Sequence, residues 1–394
     1  MITIYPDTQH VSRIASGTSP LAGYLQDQRN AIVLAFSQSH VVESLPKDTA
    51  SIPSATARLS LITNKSGVGL KPWFDIPMIE FRSSLGLELN DIQIDIGDIL
   101  FPDLAISRSD WIRTARGLLT QELSSIPDPN IRRSMRARIF KLGRFTPEAI
   151  QMLKDRQAQT ISTISKEAPL MAPLVAGGGM YDFLAGRVSE RQFTRLMKET
   201  LMSPVALAQF AANPELNSIF DLSKFFWTQM DEMSAKLSNL IGKLIDIQIT
   251  HLVFDYKRIR PILLNMVQSN DMVVGVVSKV VGRQVSAQQL ANMRGTVLFA
   301  KTFLQYALDK ADAHANVTSK NFGSEIKFKR SDLGDLTHLF YAPYVSVFGC
   351  DRYMRSLVAR TGFSTERMAT TDREMIETIE RVRRGIANNQ TNAA

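Results

Sequence analysis

The chain has 394 residues, of which 44% are apolar, so it is long enough to bury a sizeable core in two domains or in one domain with a large insertion. Its 46 Lys and Arg residues exceed its 38 Asp and Glu residues and give a formal net charge of +8, which permits a polyanionic partner but does not require one. A single cysteine, Cys350, excludes an internal disulfide framework and a cysteine-based zinc site, and it suits a reducing cytoplasm.

The sequence carries no recognisable targeting or membrane-spanning segment. The stretch from Met1 to Asp7 lacks the basic part and the long apolar part of a signal peptide. The most apolar window, residues 169–184, is interrupted by Pro173, by consecutive glycines and by Asp182, so it is too short and too broken to cross a bilayer. We therefore expect a soluble, cytoplasmic protein with no membrane partner.

Two strand–turn–helix units open the chain. Residues 1–5 predict a short strand, and Asp7 or Thr8 can cap the helix that follows it. Residues 31–36 form a continuous apolar run, which is typical of a parallel strand buried on both faces. The turn and helix after this run carry Glu43, so each unit places an acid near its strand–helix junction, as α/β units do.

The middle of the chain, from about Thr56 to Ala315, has mostly helical signals punctuated by proline and glycine. Its most basic stretch contains Arg132, Arg133, Arg136, Arg138, Lys141 and Arg144. A basic run of this kind is ordinarily a solvated helix face, and it becomes a phosphate-contacting surface only if the protein has a nucleic-acid site elsewhere.

The clearest motif lies near the C-terminus. Ser331 is a good helix N-cap, and Asp335 and His338 follow at a spacing that places both on one side of that helix. Residues 344–348 predict a short buried strand. Asp351 would then lie at the carboxyl end of the strand, where open α/β sheets gather their ligands.

These signals divide the chain into four segments and predict an α/β fold. Residues 1–50 and 326–364 should fold together into a small parallel sheet flanked by helices. Residues 51–325 would form a large, mostly α-helical insertion. Residues 365–394 would form a C-terminal helix, over Thr371 to Arg384, and a disordered tail.

The acids at or beside the predicted junctions suggest a metal site. They are Asp7, Glu43, Asp335 and Asp351, with Asp332 nearby. Carboxylate oxygens are the ligands that Mg²⁺ and Mn²⁺ prefer, and converging carboxylates repel one another unless a cation neutralises them. A cation held there could activate water and stabilise charge at a phosphate.

Three of these assignments have alternatives. A solvent-facing glutamate on a helix is commonplace, so Asp75 or Glu80 could take the place of Glu43. Asp332 fits a helix N-cap at least as well as a position that supports the site. His338 fits a hydrogen-bonded histidine that orients the neighbouring aspartate or contacts a phosphate.

The same residues resemble those of a known family. The segment Ile4-Tyr5-Pro6-Asp7-Thr8 resembles the opening strand of PIN-domain nucleases, in which an Asp-Thr pair closes the first strand. Residues 32–43 resemble the second strand of that family and the helix that carries its glutamate. Asp335 resembles the third acid and Asp351 the fourth. The string Asp-x-x-His, Tyr-x-Pro-Tyr and a later Asp is similar to a bacterial PIN-like subgroup.

Two features depart from the family pattern. Pro6 stands before Asp7 where an aliphatic residue is usual, which could shift that carboxylate. The interval from Glu43 to Asp335 is far longer than in a compact PIN domain, so the helical middle would have to be an insertion.

The resemblance implies a metal-dependent endoribonuclease that hydrolyses single-stranded or structured RNA. It implies that Asp7, Glu43, Asp335 and Asp351 are catalytic as ligands of Mg²⁺ or Mn²⁺. It also implies a setting as a bacterial toxin or anti-phage effector, with a homo-oligomer or an antitoxin-like regulator as partner. Two alternatives stay open, which are a catalytically inactive PIN-like interaction or regulatory protein and a DNA-directed nuclease with the same site.

Overall fold

The structure is a computed structural model. It describes residues 1–28, 31–64, 67–87, 91–100, 107–110, 112–113, 116, 123–141, 144–155, 178–212, 226–239, 260–261, 264–265, 269–314, 328 and 330–391. The strands are β1 (Ile2–Tyr5), β2 (Ile32–Phe36), β3 (Val68–Leu70), β4 (Gln93–Ile94), β5 (Phe140–Lys141), β6 (Arg144–Phe145), β7 (Val347–Gly349) and β8 (Met368–Ala369).

Helices make up most of the rest of the described chain. The α-helices are Thr8–Ala15, Pro20–Asp27, Gln38–Ser44, Ile52–Ile62, Ile76–Ser84, Ile96–Leu100, Pro129–Ile139, Pro147–Asp155, Gly179–Leu184, Glu190–Leu201, Pro204–Ala212, Asn270–Val281, Arg294–His314, Arg330–Thr337, Arg352–Arg360 and Asp372–Thr391. Residues 226–239 are also helical. Short 3₁₀ turns cover Thr49–Ser51, Gln289–Asn292, His338–Phe340 and Ala342–Tyr344.

A mostly parallel six-stranded sheet flanked by helices confirms the predicted α/β class. Its strand order is β4-β3-β2-β1-β7-β8. All neighbouring pairs are parallel except β3 with β4, which is antiparallel. The strands from the two ends of the chain meet at the centre, because β1 pairs with β2 on one side and with β7 on the other.

The central strands are buried because both faces of the sheet are covered. In β1, Ile4 and Tyr5 have no exposed surface, and in β7, Val347 is fully buried. Near-continuous apolar strands are expected in such a position, since a parallel sheet with helices on both faces exposes neither side to water. This is the reason that the sequence pattern located β1 and β2 to within a residue or two.

The sheet also takes strands from regions where the sequence did not predict them. β3 and β4 lie within the segment predicted to be helical, and β8 lies in the segment after residue 364. These strands have only two or three residues, and β3 contains Gly69, so they lack the apolar run that signals a strand. The predicted segment boundaries at residues 50, 325 and 364 themselves stay predictions.

Two details near the C-terminus differ from the sequence expectations. Residues 342–344 form a 3₁₀ turn, so the strand predicted over residues 344–348 is instead β7 at Val347–Gly349. Pro343 lies inside that turn, where its fixed φ is tolerated. The last helix continues past Arg384 to Thr391, so the predicted disordered tail is helical up to that residue. Residues 392–394 lie outside the described residues.

The contacts divide the chain into two compact units. Unit 1 comprises Met1–Ser44, Asn64–Ile99 and Asp221–Ala394, and it contains the six-stranded sheet. Its core includes Phe299 and Phe303 of the helix Arg294–His314, both fully buried.

Unit 2 comprises Leu45–Thr63 and Leu100–Phe220. In the part of it that the structure describes, helices surround the two-stranded antiparallel ribbon of β5 and β6. The helix Pro204–Ala212 packs against the helix Ile52–Ile62. Most of residues 111–123, which belong to the segment predicted to be helical, fall outside the described residues.

Across the described stretches of the chain, no helix combines the length and the apolar character needed to cross a bilayer.

Candidate functional site

One cavity of unit 1 brings together the four acids that the sequence singled out as metal ligands. It has a volume of about 210 Å³. The residues that line it are Asp7, Thr8, Gln9, Glu43, Asp335, His338, Phe348, Gly349, Cys350, Asp351 and Met354. Asp7 and Glu43 come from the N-terminal part of the chain, whereas Asp335 and Asp351 come from the C-terminal part. The cavity is acidic, because among these lining residues only His338 can carry a positive charge.

Asp7 and Asp351 occupy equivalent places after two neighbouring strands. Each residue has extended backbone geometry and caps the helix that follows it. Asp7 Oδ1 accepts a hydrogen bond from the backbone N–H of His10 at 2.9 Å, and Asp351 Oδ1 accepts one from that of Met354 at 2.6 Å. The chain leaves the central strand β1 toward β2 on one side, while β7 lies on the other. Such a reversal of strand order is where open α/β sheets bind ligands.

Gly349 allows these two strand ends to approach each other. A Cβ atom at Gly349 would lie 2.8 Å from the backbone nitrogen of Asp7 and 3.2 Å from Nδ1 of His10. Real Cβ atoms are almost never so close to a backbone atom. Any larger residue at this position would therefore displace Asp7 from its place beside Asp351.

Asp7 is held as a carboxylate by His10. Nδ1 of His10 lies 2.6 Å from the same oxygen, Oδ1, that accepts the backbone N–H. Burial alone would raise the pKa of Asp7, but the hydrogen bonds and charge of His10, together with the charge of His338, outweigh burial and lower that pKa. One oxygen of Asp7 is therefore committed to His10, and the carboxyl group stays ionised.

Glu43 is held in a similar way by two donors. Thr8 Oγ1 donates to Oε2 of Glu43, and His338 Nε2 lies 3.3 Å from Oε1. These hydrogen bonds outweigh the effect of burial and lower the pKa of Glu43. For His338, burial opposes protonation, but the hydrogen bond and charge of Glu43 dominate and raise its pKa. The two residues therefore favour an ion pair at the wall of the cavity.

Asp335 has a raised pKa, and the main cause is its burial. Burial, with smaller contributions from the charges of Glu43, Asp351 and Asp332, raises the pKa of Asp335 to about 6 against the opposing charge of His338. A cation in the cavity would offset the charges of these carboxylates.

Buried polar side chains form hydrogen bonds behind the wall of the cavity. The hydroxyl of Tyr5 lies 2.8 Å from Ser37 Oγ and 2.5 Å from Nδ1 of His338. His40 is fully buried, and its Nε2 lies 2.5 Å from the carbonyl oxygen of Pro6. Pro6 thus provides an acceptor for His40 directly before Asp7, which fixes the backbone at the place where the sequence departs from the family pattern.

Three acids that were weighed as site residues lie elsewhere. Asp332 accepts a hydrogen bond from Tyr306 and lies 3.2 Å from Lys310, and it does not line the cavity. Asp75 precedes the helix Ile76–Ser84 and is exposed. Glu80 is fully buried and accepts from the first turn of the helix Arg294–His314.

Of the three candidates for the glutamate position, only Glu43 lines the cavity. The structure therefore keeps Glu43 with the other acids and gives Glu80 a different place. Whether these residues act in catalysis stays a prediction.

The carboxylates that line the cavity are the type of ligand that a hard divalent cation prefers, but their oxygens are not arranged as a complete set of ligands. Among the residues that the structure describes, no group of three or more His, Cys, Asp and Glu side chains is arranged to hold a metal ion. Hydrogen bonds to the protein engage one oxygen of Asp7, one of Asp351 and both of Glu43. Carboxylates that share one small cavity, one of them with a raised pKa, nevertheless supply the chemistry that Mg²⁺ or Mn²⁺ requires.

Three residues that shape the site were not singled out from the sequence. His10 could have been found, because a histidine three residues after an N-cap aspartate is well placed to contact that aspartate. Gly349 matters through a contact between strands, and nothing in the local sequence signals it. Cys350 is buried and lines the cavity.

Comparisons with known proteins do not assign the chain to a family. No family model matched it, and no curated protein and no solved structure did either. The fold and the cavity define the class of the molecule, which is an α/β protein with an acidic cavity where the strand order of its sheet reverses. Its function must be argued from that geometry.

Proposed function

We propose that unit 1 is a PIN-like, metal-dependent nuclease core that hydrolyses single-stranded or structured RNA endonucleolytically. One observation carries the proposal, which is that four acids from distant parts of the chain line a single cavity. The parallel order β3-β2-β1-β7-β8 supports it, since it places two of these acids at the reversal of strand order. Of the segment 51–325 predicted to be an insertion, only the part that belongs to unit 2 would be inserted into this core, because residues 64–99 and 221–325 belong to unit 1.

The proposed cation would be Mg²⁺ or Mn²⁺, held by Asp7, Asp335 and Asp351, with Glu43 as a fourth ligand or as the residue that orients water. Such a cation supplies an activated water and stabilises the charge that develops on a phosphate. The protein keeps Asp7 ionised through His10 and fixes the backbone around Asp351 as a helix cap. His338 lines the cavity and pairs with Glu43, while its other nitrogen contacts Tyr5, so it would act on a phosphate through its charge when protonated and not as a free hydrogen-bond donor.

The size of the cavity favours an unpaired strand as the substrate. A cavity of about 210 Å³ has room for a phosphate group and its neighbours but not for a duplex. Unpaired RNA can present its backbone singly to such a cavity. The formal net charge of +8 suits a polyanion, whether single-stranded or double-stranded. The preference for RNA over DNA rests on the resemblance to PIN-domain nucleases.

A second candidate function is a catalytically inactive PIN-like protein that binds or regulates a partner. The hydrogen bonds that occupy both oxygens of Glu43 favour this candidate, because they compete with a cation for that residue. The two candidates differ in a simple observable, which is whether the purified protein cuts a nucleic acid when Mn²⁺ is added.

The experiment incubates the protein with end-labelled single-stranded RNA and DNA of matched sequence, with Mn²⁺, with Mg²⁺ or with EDTA. We expect RNA to be cut internally with either metal and to stay intact in EDTA. Asp335→Asn should lower the rate by at least about 100-fold, since even residues that support metal ligands are worth about 10- to 100-fold.

Asp332→Asn is the matched control, because Asp332 is on the same helix but does not line the cavity. It should cut within about threefold of wild type. Equal cleavage by Asp335→Asn, or cleavage that survives EDTA, would contradict the proposed site. Intact RNA and DNA in every metal would favour the inactive, regulatory protein, and preferential cutting of DNA would make the enzyme a DNA nuclease.

A further inference from the structure

A buried chain of polar groups runs from Asp7 to the C-terminal helix. His10 lies between Asp7 and Asp372 and has no exposed surface. Its Nδ1 is 2.6 Å from Asp7 Oδ1, and its Nε2 is 3.7 Å from Asp372 Oδ1. Asp372 is 8% exposed and begins the helix Asp372–Thr391. Two carboxylates from opposite ends of the chain therefore face the two nitrogens of one imidazole.

Asp372 is itself fixed by two further residues. Ser19 Oγ donates to Asp372 Oδ2 at 2.5 Å, and Arg13 NH2 lies 3.2 Å from Asp372 Oδ1. Ser19 also caps the helix Pro20–Asp27, so the contact joins the first helices of the chain to the last one. The hydrogen bond from Ser19 and the ion pair with Arg13 hold this carboxylate beside His10. The separation of 3.7 Å between His10 Nε2 and Asp372 Oδ1 is too long for a hydrogen bond, so Asp372 acts on the ring through its charge.

The geometry decides what His10 does to Asp7. A carboxylate oxygen can only accept, so Nδ1 must carry the hydrogen in the contact with Asp7. The backbone N–H of His10 donates to the same oxygen, Oδ1. Both bonds therefore hold one oxygen of Asp7 and leave Oδ2 as the oxygen that a ligand in the cavity can use.

We propose that His10 and Asp372 are positioning residues for a divalent cation in the cavity, with His10 orienting Asp7 and Asp372 orienting His10 from the C-terminal helix. This inference rests on the proposed metal site. Neither residue lines the cavity, so neither would contact the cation or the substrate. The arrangement makes the last helix of the chain part of the site, although that helix contributes no residue to the cavity wall.

The physical basis is the role that outer partners have in metal sites. Donors and carboxylates behind a ligand fix its orientation and typically change metal affinity by about 10- to 100-fold when they are removed. Here one of the two donors to the ligand oxygen is a histidine side chain, so a single substitution can remove that donor. The same substitution leaves the backbone N–H that caps the helix in place.

The test measures the dissociation constant for Mn²⁺ by titration calorimetry on the full chain, with folding checked by circular dichroism. His10→Ala should weaken Mn²⁺ binding by about 10- to 100-fold. His10→Asn keeps an N–H near the position of Nδ1, so it should restore binding to within about threefold of wild type. Asp372→Asn keeps the shape but removes the charge behind the ring, and it should weaken binding by roughly three- to tenfold.

Glu374→Gln is the matched control on the same helix. Glu374 accepts from the backbone and hydroxyl of Thr370 and lies 3.3 Å from Arg355, but it contacts neither His10 nor the cavity. It should destabilise the helix start without changing Mn²⁺ affinity. A loss of affinity in Glu374→Gln equal to that in Asp372→Asn would show a merely structural effect and overturn the inference.

The outcomes separate this inference from the proposed function. Weaker Mn²⁺ binding in His10→Ala, with rescue by His10→Asn, supports the inference even if neither RNA nor DNA is cut, in which case only the nuclease proposal fails. Unchanged binding in folded His10→Ala overturns the inference even if wild type cuts RNA. A wild-type protein that binds no Mn²⁺ overturns both.

Discussion

The two nitrogens of His40 have different partners, and those partners fix its protonation state. The backbone N–H of Ser37 donates to Nδ1 at 3.0 Å, so Nδ1 can only accept. Nε2 must then carry the hydrogen that is given to the carbonyl of Pro6. Burial, with a smaller contribution from the charge of His338, lowers the pKa of His40 to about 4. The ring beneath the cavity is thus neutral over the whole physiological range.

Because His40 stays neutral in the folded protein, the free energy of unfolding depends on pH. In the unfolded chain His40 takes up a proton below its ordinary pKa of 6.5, whereas in the folded chain it does so only near 4. The unfolded state therefore binds more protons between these values, and stability is lost as the pH falls through this window. The charges that face His40 are His338, which disfavours its protonation, and Glu43 and Asp7, which oppose that effect.

We expect the titration of His40 to lower the free energy of unfolding by on the order of 2 kcal/mol when the pH falls from 7.5 to 5. His40→Gln can accept from Ser37 and donate to Pro6 without titrating. Urea unfolding of both proteins at the two pH values measures the effect. Wild type should lose more stability than His40→Gln by that amount, and equal losses would show that His40 is not the titrating group.

At the scale of elements, the helix Arg294–His314 begins without a capping side chain of its own. The residue before it is Met293, which has no acceptor, and Glu80 from another helix takes its place. Glu80 Oε1 accepts from the backbone of Gly295 at 2.6 Å and from Tyr344, while Oε2 accepts from the backbone of Thr296 at 2.9 Å and from its hydroxyl. Such remote capping satisfies the free N–H groups of a helix start.

The close packing around Glu80 also explains why residue 295 is a glycine. A Cβ atom at Gly295 would lie 2.3 Å from the carbonyl oxygen of Phe340, so only glycine allows the helix to start this close to the 3₁₀ turn. That turn connects to Tyr344, whose hydroxyl reaches Glu80. One buried carboxylate therefore ties together three segments of unit 1 that lie far apart in sequence.

Glu80→Gln should lower the free energy of unfolding by about 2 to 4 kcal/mol, because the four groups around the carboxylate are all donors. The amide nitrogen of glutamine would face one of the two backbone N–H groups, which cannot accept, and would leave it unsatisfied. Denaturant unfolding at pH 7 measures the loss. Glu377→Gln is the control, since Glu377 is exposed and paired only with Arg373, and it should change stability by less than about 0.5 kcal/mol. A similar small change in Glu80→Gln would contradict the capping role.

At the scale of the whole molecule, local sequence patterns predicted the strands whose own residues carry a clear signal. β1 is a run of four residues that favour strands, one of which is Thr3, and β2 is an apolar run of five residues. The acids after β1 and β7 follow from the rule that parallel sheets collect ligands at the carboxyl ends of their strands. β3, β4 and β8 were missed because so short a strand exists only through pairing with its neighbour.

The candidate site could also be predicted from the sequence only in part. Its acids could be singled out from their positions after predicted strands and on helices. The contacts that orient them could not, because Gly349 against Asp7 and Asp372 against His10 depend on how distant segments pack. The sequence also left Glu43 and Glu80 as alternatives, and only the burial of Glu80 under another helix separates them.

The proposed site requires that acids from both ends of the chain share one divalent cation. A crystal of the protein grown with Mn²⁺, with diffraction data collected at the manganese absorption edge, tests this most directly. We predict an anomalous peak in the cavity, with oxygens of Asp7, Asp335 and Asp351 at about 2.1 Å from it. A fully occupied manganese elsewhere, or a cavity without an anomalous peak at saturating Mn²⁺, would contradict it.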